Sequence, residues 1–532
     1  MSSSKRVNIG WHWERDYSRK SHEYFRKIGA TTAETYVKWI DIEPEPGHIT
    51  FKTFDRELDR LVRYGVKWQP FLICGPWYAT PYWFRESGNS HFFRCLEHDQ
   101  NSGIQSIWNA KFQAPTRRFL KLFHDHYASR LQQIDSILLG VSGDYGEAIY
   151  PCIGNFDGQY HTHRGFWCGD SLAIADFRRH CRQQWKTIQA LNARWGTKYR
   201  DFDQVRPFLK KDAPSRRAMV DQVYWYRGAM LKHAEFWVKE ARRLWPSKDI
   251  YLCMGGDGSA EEGQHYAAAA KMCARYGVGV RDTNARDNIR FLNTYQCSTA
   301  VAANFYQTYC GFESSHGSTR EFITARMFAA ILSGVREFHE YGFSGADEVV
   351  EQFRKFRKLM DVPFKRVVSV AVFSSEAYVN WVHEHATAWD IKNFPWGLPP
   401  KPHALLDTLR YHFDFDVVNE TLLRDGILKN YQVLIVPAFT LLEDDMPEIL
   451  ARHVRGGGQV LVYGRESCQT PDGRSPSLDG AAVISTLPGL LAALKQAGIR
   501  VKGRRDGVFE VMDKSGKTLC YDENRSRIYW KK

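Results

Sequence analysis

The stretch Ile137-Leu138-Leu139-Gly140-Val141-Ser142-Gly143-Asp144-Tyr145-Gly146-Glu147 runs from an apolar segment into a glycine-rich turn that ends on a carboxylate. A short apolar run bounded by glycine reads as a strand buried on both faces, the kind that builds a parallel sheet. Working outward, strands are expected at 7–13, 30–37, 66–73, 250–255, 277–283, 305–312 and 336–342, which with 137–143 makes eight. Helical spacing separates them. In 53–64, Phe54, Leu58, Leu61 and Val62 recur at i, i+4, i+7 and i+8, and 116–134 repeats the pattern with Phe119, Leu120, Phe123, Tyr127 and Leu131. Eight strand–helix units predict an α/β fold, a (β/α)8 TIM barrel over residues 1–362.

The longest interval, about residues 150–245, is an insertion after the fourth strand, and its segment 152–169 is rich in Gly, His and aromatic residues. Long loops after barrel strands lie at the C-terminal face, where such folds keep their chemistry. After Asp361-Val362-Pro363 the pattern restarts, with strands at 367–373, 415–419, 431–439 and 457–464 and helices at 401–412 and 444–455. These predict a smaller flavodoxin-like, doubly wound α/β domain over 363–506. Gly456-Gly457-Gly458 precedes a strand, whereas a phosphate loop follows one and opens a helix, so no nucleotide site is expected there. Residues 507–532 read as a β-hairpin turning at Lys514-Ser515-Gly516.

A chain of 532 residues exceeds what one hydrophobic core serves, in line with two domains. The formal charge of +13 is spread among acids, which reads as a solvated surface and not a nucleic-acid site. The first residues contain no apolar leader, and no segment offers about 18 uninterrupted apolar residues, so a soluble cytoplasmic protein without membrane contact is expected. The 11 cysteines show no CxxC or paired Cys/His spacing, which predicts buried free thiols, no metal and no cofactor. The 17 Trp and 26 Tyr suit either core filling or stacking on the apolar faces of sugars.

Cleavage of a glycosidic bond needs one carboxyl to protonate the leaving oxygen and a second to attack the anomeric carbon or activate water. Glu147, just beyond the fourth strand, is the candidate general acid, and an exposed loop carboxylate is its alternative reading. Glu313, closing the seventh strand, is the candidate nucleophile or base, against a salt bridge to Arg320 or Arg326. His12, Trp13, Glu34, Trp77, Asp144, Tyr145, Asp257, Asn284 and Glu340 are candidate substrate-binding groups near strand ends, with Glu14, Asp282 and His339 similarly placed.

The stretch Trp39-Ile40-Asp41-Ile42-Glu43-Pro44-Glu45-Pro46-Gly47-His48-Ile49-Thr50-Phe51, continuing to Phe54-Asp55, resembles a segment of glycoside hydrolase family 42 β-galactosidases. Leu191-Asn192-Ala193-Arg194-Trp195-Gly196-Thr197 is similar to another element of that family. Ser374-Ser375-Glu376-Ala377 and Leu434-Ile435-Val436-Pro437 resemble its trimerisation domain. The resemblance implies a retaining enzyme acting on a β-linked glycoside or oligosaccharide, with Glu147 as acid/base, Glu313 as nucleophile, and assembly as a homo-oligomer, a trimer. One departure stands out. The family's acid follows an Asn that holds the sugar 2-hydroxyl, whereas Gly146 precedes Glu147, and the Gly-Glu-x-x-Tyr-Pro pattern of residues 146–151 is similar to the acid segment of the inverting β-amylases. Asp144 or Asn284 would then meet that hydroxyl. The rival expectations are an inverting glycosidase, a non-catalytic carbohydrate-binding barrel, and the same acid used for transglycosylation or phosphorolysis.

Overall fold

The computed structural model describes residues 7–12, 19–152, 161–256, 258–285, 294–314, 319–340, 347–382, 405, 406, 408–465, 467–502 and 507–531, with residues 11, 12, 20, 21, 284, 285, 294–297 and 314 described by backbone alone. Eight parallel strands close into a barrel: β1 (Asn8–His12), β2 (Thr32–Lys38), β3 (Lys67–Ile73), β4 (Ser136–Gly140), β5 (Asp249–Met254), β6 (Gly279–Ala285), β7 (Cys310–Ser314) and β8 (Glu337–Glu340). Neighbours pair in chain order, and β8 closes on β1 with Asn8 opposite Glu337. Helices follow the strands and cover the outside, among them Lys52–Arg63, Gln113–Tyr127, Arg216–Leu244 and Arg320–Ser333. In the first of these Phe54, Leu58 and Leu61 are buried as their spacing requires, while Val62 lies off the stripe and is exposed.

The seventh strand begins later than expected. A helix, Thr294–Phe305, runs through the start of the expected strand and ends on Phe305, the chain turns at Gln307 with φ +60°, and β7 starts at Cys310. Phe and Tyr favour strands in isolation, but here Phe305 completes the last turn of a helix whose Ala300, Ala302 and Ala303 are buried.

Two segments that carry the family resemblance are scaffold. Glu43 accepts hydrogen bonds from Trp39 Nε1 (3.1 Å) and from the Gly47 backbone N–H (2.9 Å), so it closes the loop after β2 on itself. Asn192 donates to the Tyr199 carbonyl (2.8 Å) and accepts from Thr197 Oγ1 (2.7 Å), while Trp195 Nε1 donates to Asp221 (2.8 Å).

A second parallel sheet holds β9 (Val370–Phe373), β10 (Asp416–Val418), β11 (Val433–Pro437), β12 (Gln459–Tyr463) and β13 (Ala482–Ile484) in the order β10-β9-β11-β12-β13. This is the 2-1-3-4-5 order of flavodoxin-like sheets. It is fastened to the barrel by Arg217, a buried residue whose guanidinium reaches Glu443 (2.6 Å) and also pairs with Asp221. The C-terminal segment forms three antiparallel strands, Val508–Met512, Thr518–Asp522 and Arg527–Trp530, where a two-stranded hairpin was expected. The third pairs with the second, placing Trp530 opposite Leu519. The ten described cysteines are free and buried, and no described helix is long and apolar enough to cross a membrane.

Barrel closure leaves no room for a side chain at Gly140 on β4, because a Cβ there would stand 2.8 Å from the Leu72 carbonyl and 2.7 Å from Ile73 Cγ1. The Gly140→Ala chain is expected to lose about 1–3 kcal/mol of stability through overpacking. Urea unfolding checks this, and an unchanged midpoint would contradict the tight approach of β3 and β4.

Candidate active site

Side chains alternate along each strand, so one set points into the barrel and the other toward the helices. The inward set is strongly polar. Its centre is Arg281 on β6, fully buried, whose Nη1 lies 2.6 Å from Glu34 on β2 and 3.2 Å from Glu337 on β8, and whose Nη2 is bonded to Glu313 on β7. His339 on β8 stands 3.6 Å from Glu34, and Gln69 on β3 donates to Ser136 on β4 (3.0 Å). Glu313 thus pairs with Arg281 and not with Arg320 or Arg326, which take Glu351 (3.2 Å) and Glu340 (3.6 Å) instead.

Glu147 arrives at this cluster from the loop after β4. Gly143 (φ +67°) and Gly146 (φ +92°) take backbone conformations that L side chains rarely adopt, and Gly146 also lies against Ile73, within 3.1–3.2 Å of where a Cβ would be. The loop is then pinned to the ends of neighbouring strands. Ala148 N–H donates to the Cys253 carbonyl (3.0 Å), Gln264 donates to the Ala148 carbonyl (2.8 Å), and Tyr150 stacks on Tyr226 at 3.7 Å. The Glu147 side chain packs against Gly255 beyond β5 and is 7% exposed, with Oε2 buried and lacking a hydrogen-bond partner.

Burial dominates the electrostatics. It pushes Glu147 up to about 7 against the pull of the Arg281 guanidinium, with Glu34 adding to the rise. Burial likewise brings Glu337 to about 7, again opposed by Arg281. Glu313 is pushed well above the usual carboxylate range by burial, opposed by Arg281 and reinforced by Glu34 and Glu147. Asp144, fully buried with neither carboxyl oxygen hydrogen-bonded, is raised by burial and by Glu147. One guanidinium cannot balance the buried carboxylates of Glu34, Asp144, Glu147, Glu313 and Glu337, and their mutual repulsion favours retained protons in the cluster.

Glu34, Asp144, Glu147 and Glu313 are therefore brought together, and Tyr145 sits half-buried in the same loop. Trp77 lies in the loop after β3, stacked on Arg85. Glu340 is elsewhere: next to inward His339 it faces the helix layer, where Arg326 stands. Trp13, Glu14 and Asp257 lie outside the described residues, as do the side chains of His12 and Asn284. Arg281 and Glu337 were missed in the sequence; a charged residue in the midst of the apolar β6 run was the available signal.

A second cluster corrects the expectation that no metal-type set exists. Cys95 and His98, from the segment after β3, meet His161 and His163, from the loop after β4, with one ligand atom of each within 4.8 Å of the others. His98 Nδ1 lies 3.2 Å and Cys95 Sγ 3.7 Å from His161 Nε2. Tetrahedral Zn²⁺ with bonds of about 2.0–2.1 Å to nitrogen and 2.3 Å to sulfur sets its ligands about 3.3–3.6 Å apart, and with Cys95 Sγ 4.0 Å from His98 Nδ1 the set would contract slightly to seat that ion. His163 Nε2 is buried without a hydrogen-bond partner. With four protein ligands such a site would be of the closed, structural type and would tie the two loops together. The pairs Cys95-x-x-His98 and His161-x-His163 escaped notice because they lie 66 residues apart from Cys95 to His161.

Comparison with known proteins returns β-galactosidases and a β-amylase. Residues 10–250 match the glycoside hydrolase family 42 model, described as β-galactosidase. The β-galactosidase bgaB of Geobacillus kaustophilus is 22% identical over 202 residues, 37% of this chain and 27% of the relative, so the chain matches about a quarter of that protein's length. Among solved structures, a β-galactosidase from Bacillus circulans sp. alkalophilus superposes with TM-score 0.71 at 12% identity over 97% of this chain and 92% of the other. The catalytic domain of a β-amylase from Paenibacillus polymyxa gives 0.56 at 15% identity over 67% and 98%. Likenesses at this identity concern the fold.

Two outcomes follow from the site. Glu337 is raised from 4.5 to about 7 by folding, so its contribution is fully present below pH 4.5 and is lost as pH rises through about 7. Unfolding midpoints measured from pH 4.5 to 7.5 are expected to fall less steeply in Glu337→Gln than in the parent, by an amount on the order of 3 kcal/mol at most; parallel curves would refute the raised value. Separately, adding Zn²⁺ to chelator-treated protein is expected to raise the melting temperature, and the rise should vanish in Cys95→Ala/His161→Ala.

Proposed function

We propose that the chain is a glycoside hydrolase of β-galactosidase type, cleaving β-linked glycosides with Glu147 as acid/base and Glu313 as nucleophile. The observation that carries this reading is the unequal setting of the two glutamates. Only Glu313 is bonded to a guanidinium, a charge-assisted bond that works toward the anion needed for attack against the net rise that burial, Glu34 and Glu147 impose. Glu147 has no such bond and is held near 7 by burial, which suits a group that must deliver a proton to the leaving oxygen and take one back from water. The β-galactosidase description of the matching family model supports the substrate class.

Glu34 and Glu337 would steady Arg281 and so the aim of Glu313, while Asp144 flanks the acid. Trp77 and Tyr145 offer rings to sugar faces. The partner is then a glycoside or oligosaccharide, and the second domain is read, by resemblance, as the element through which copies associate into trimers. A second reading, inversion, is favoured by Gly146, because the Gly-Glu pair it forms is β-amylase-like and the barrel also superposes on a β-amylase.

Glu147→Gln is expected to lose at least about 100-fold in kcat on disaccharides, with a smaller loss on aryl glycosides whose leaving groups need no proton. Glu313→Gln should lose activity on both. NMR of the first-formed anomer separates the schemes: a retained β-anomer supports nucleophilic Glu313, and an inverted one makes Glu313 the base. Full activity of Glu147→Gln on disaccharides would remove the assignment.

A further inference from the structure

Glu147 leans on a wall that its own loop does not supply. The wall is the segment that follows β5, where Gly255, Gly256 and Gly258 come close together in the chain. The Glu147 side chain lies on the α-carbon of Gly255, since a Cβ there would stand 2.9 Å from Glu147 Cγ and 3.0 Å from its Cβ. Gly256 (φ +90°) and Gly258 (φ +85°) occupy the left-handed region. Glycine leaves the backbone unusually free, so a wall of glycines keeps one position only if other groups brace it.

Glu262 is that brace. It is fully buried, and its carboxyl lies so near Gly256 that a Cβ there would stand 2.2 Å from Oε2. The same oxygen accepts the Gly258 backbone N–H (3.2 Å), while the Glu262 backbone carbonyl accepts the N–H of Tyr150 (3.1 Å), three residues past Glu147. One residue thus fastens both the wall and the chain that carries the acid. Arg164, buried and arriving from the segment after β4, fixes the direction of the carboxyl. Its Nη2 lies 3.4 Å from Glu262 Oε1, and its Nη1 donates to Ser259 Oγ (2.6 Å) next to Gly258.

Other groups secure the rest of the segment. The Tyr266 hydroxyl lies 3.2 Å from the Gly255 carbonyl and 3.0 Å from that of Gly256. Further on, Arg227 Nε donates to the Gln264 carbonyl (2.6 Å), and His265 Nδ1 stands 3.3 Å from Glu376 of the second domain. A buried ion pair is a costly way to hold a turn unless its geometry matters, because both charges are taken out of water. Glu147 itself is faced by Asp144 of its own loop, Glu34 of β2, Arg281 of β6 and Glu313 of β7. Arg164 and Glu262 reach it through Gly255 and Tyr150.

We propose that Glu262, fixed by Arg164, is a positioning residue for the acid/base: it braces the glycine wall against which the Glu147 carboxyl is held and screened from water. The proposal rests on the reading of Glu147 as acid/base. Glu262→Ala is expected to lower kcat/KM on disaccharides at least about 30-fold, but on aryl glycosides with good leaving groups by less than about 3-fold. A misfolded fraction would lower both alike. Glu262→Gln keeps an oxygen for the Gly258 N–H and should recover part of the loss. Gly255→Ala leaves Glu262 in place but pushes a Cβ onto Glu147, and should show the same selective loss; it and Glu262→Gln decide the matter if Glu262→Ala does not fold.

Carbon-13 NMR of labelled glutamate carboxyls gives a reading that needs no turnover, with the Glu147 signal identified by its loss in Glu147→Gln. Burial holds that carboxyl near 7. Loosening the wall admits water, so its midpoint is expected to fall by at least about 0.5 pH unit in Glu262→Ala. Equal losses on both substrate classes, an unmoved midpoint, or the selective loss in Gly255→Ala but not in Glu262→Ala would each overturn the positioning role. A chain that turns over no glycoside yet shows the shifted midpoint defeats the enzymatic reading and leaves the brace, whereas hydrolysis with an unmoved midpoint defeats the brace and leaves the enzyme.

Discussion

Everything inside the barrel is arranged around the guanidinium of Arg281. It is fully buried and holds glutamates from β2, β7 and β8 at once, which links three strands that are not all neighbours across the middle of the barrel. Barrel interiors are commonly filled by layers of branched apolar side chains. Here an apolar cluster that includes Phe71, Ile73, Leu138, Tyr251 and Tyr309 shares the interior with a charged layer, and the strands are joined there by ion pairs as well as by packing. Taking the arginine away would strand several buried acids with no counter-charge, a far larger penalty than the loss of one contact.

The fold was legible because its signals are local. Apolar strands, helical stripes and the restart after Asp361-Val362-Pro363 are all read within windows of a few residues. Glu147 and Glu313 were legible because a carboxylate at the end of an apolar strand is conspicuous. What escaped notice was long-range. Arg281 and Glu337 were not singled out, and Glu34 was read as a substrate-binding group and not as their partner; the three are up to 303 residues apart (337 − 34), so no local window shows their pairing. The start of β7 failed for the opposite reason: the local preference of Phe305 and Tyr306 for strand was overruled by the helix preceding them.

A related lesson concerns the segments that betray kinship. Glu43 and Asn192, the hydrogen-bonding residues of two of these stretches, are consumed by loop closure, and neither reaches the central cluster. In this chain each such segment is accounted for by the turn it closes. The chemistry must be argued from the interior residues.

Gly146 shows how the scaffold reaches into the chemistry. Its φ of +92° and its contact with Ile73 mean that the sheet, not the sugar, decides which residue precedes the acid. An asparagine there would need a strained backbone and would press on the Ile73 side chain of β3, its Cβ 3.1–3.2 Å away, so both the backbone and the packing disfavour the side-chain amide that the resemblance leads one to look for. The backbone route by which Glu147 reaches the barrel mouth is thus set by Gly143, Gly146 and the strand beside them.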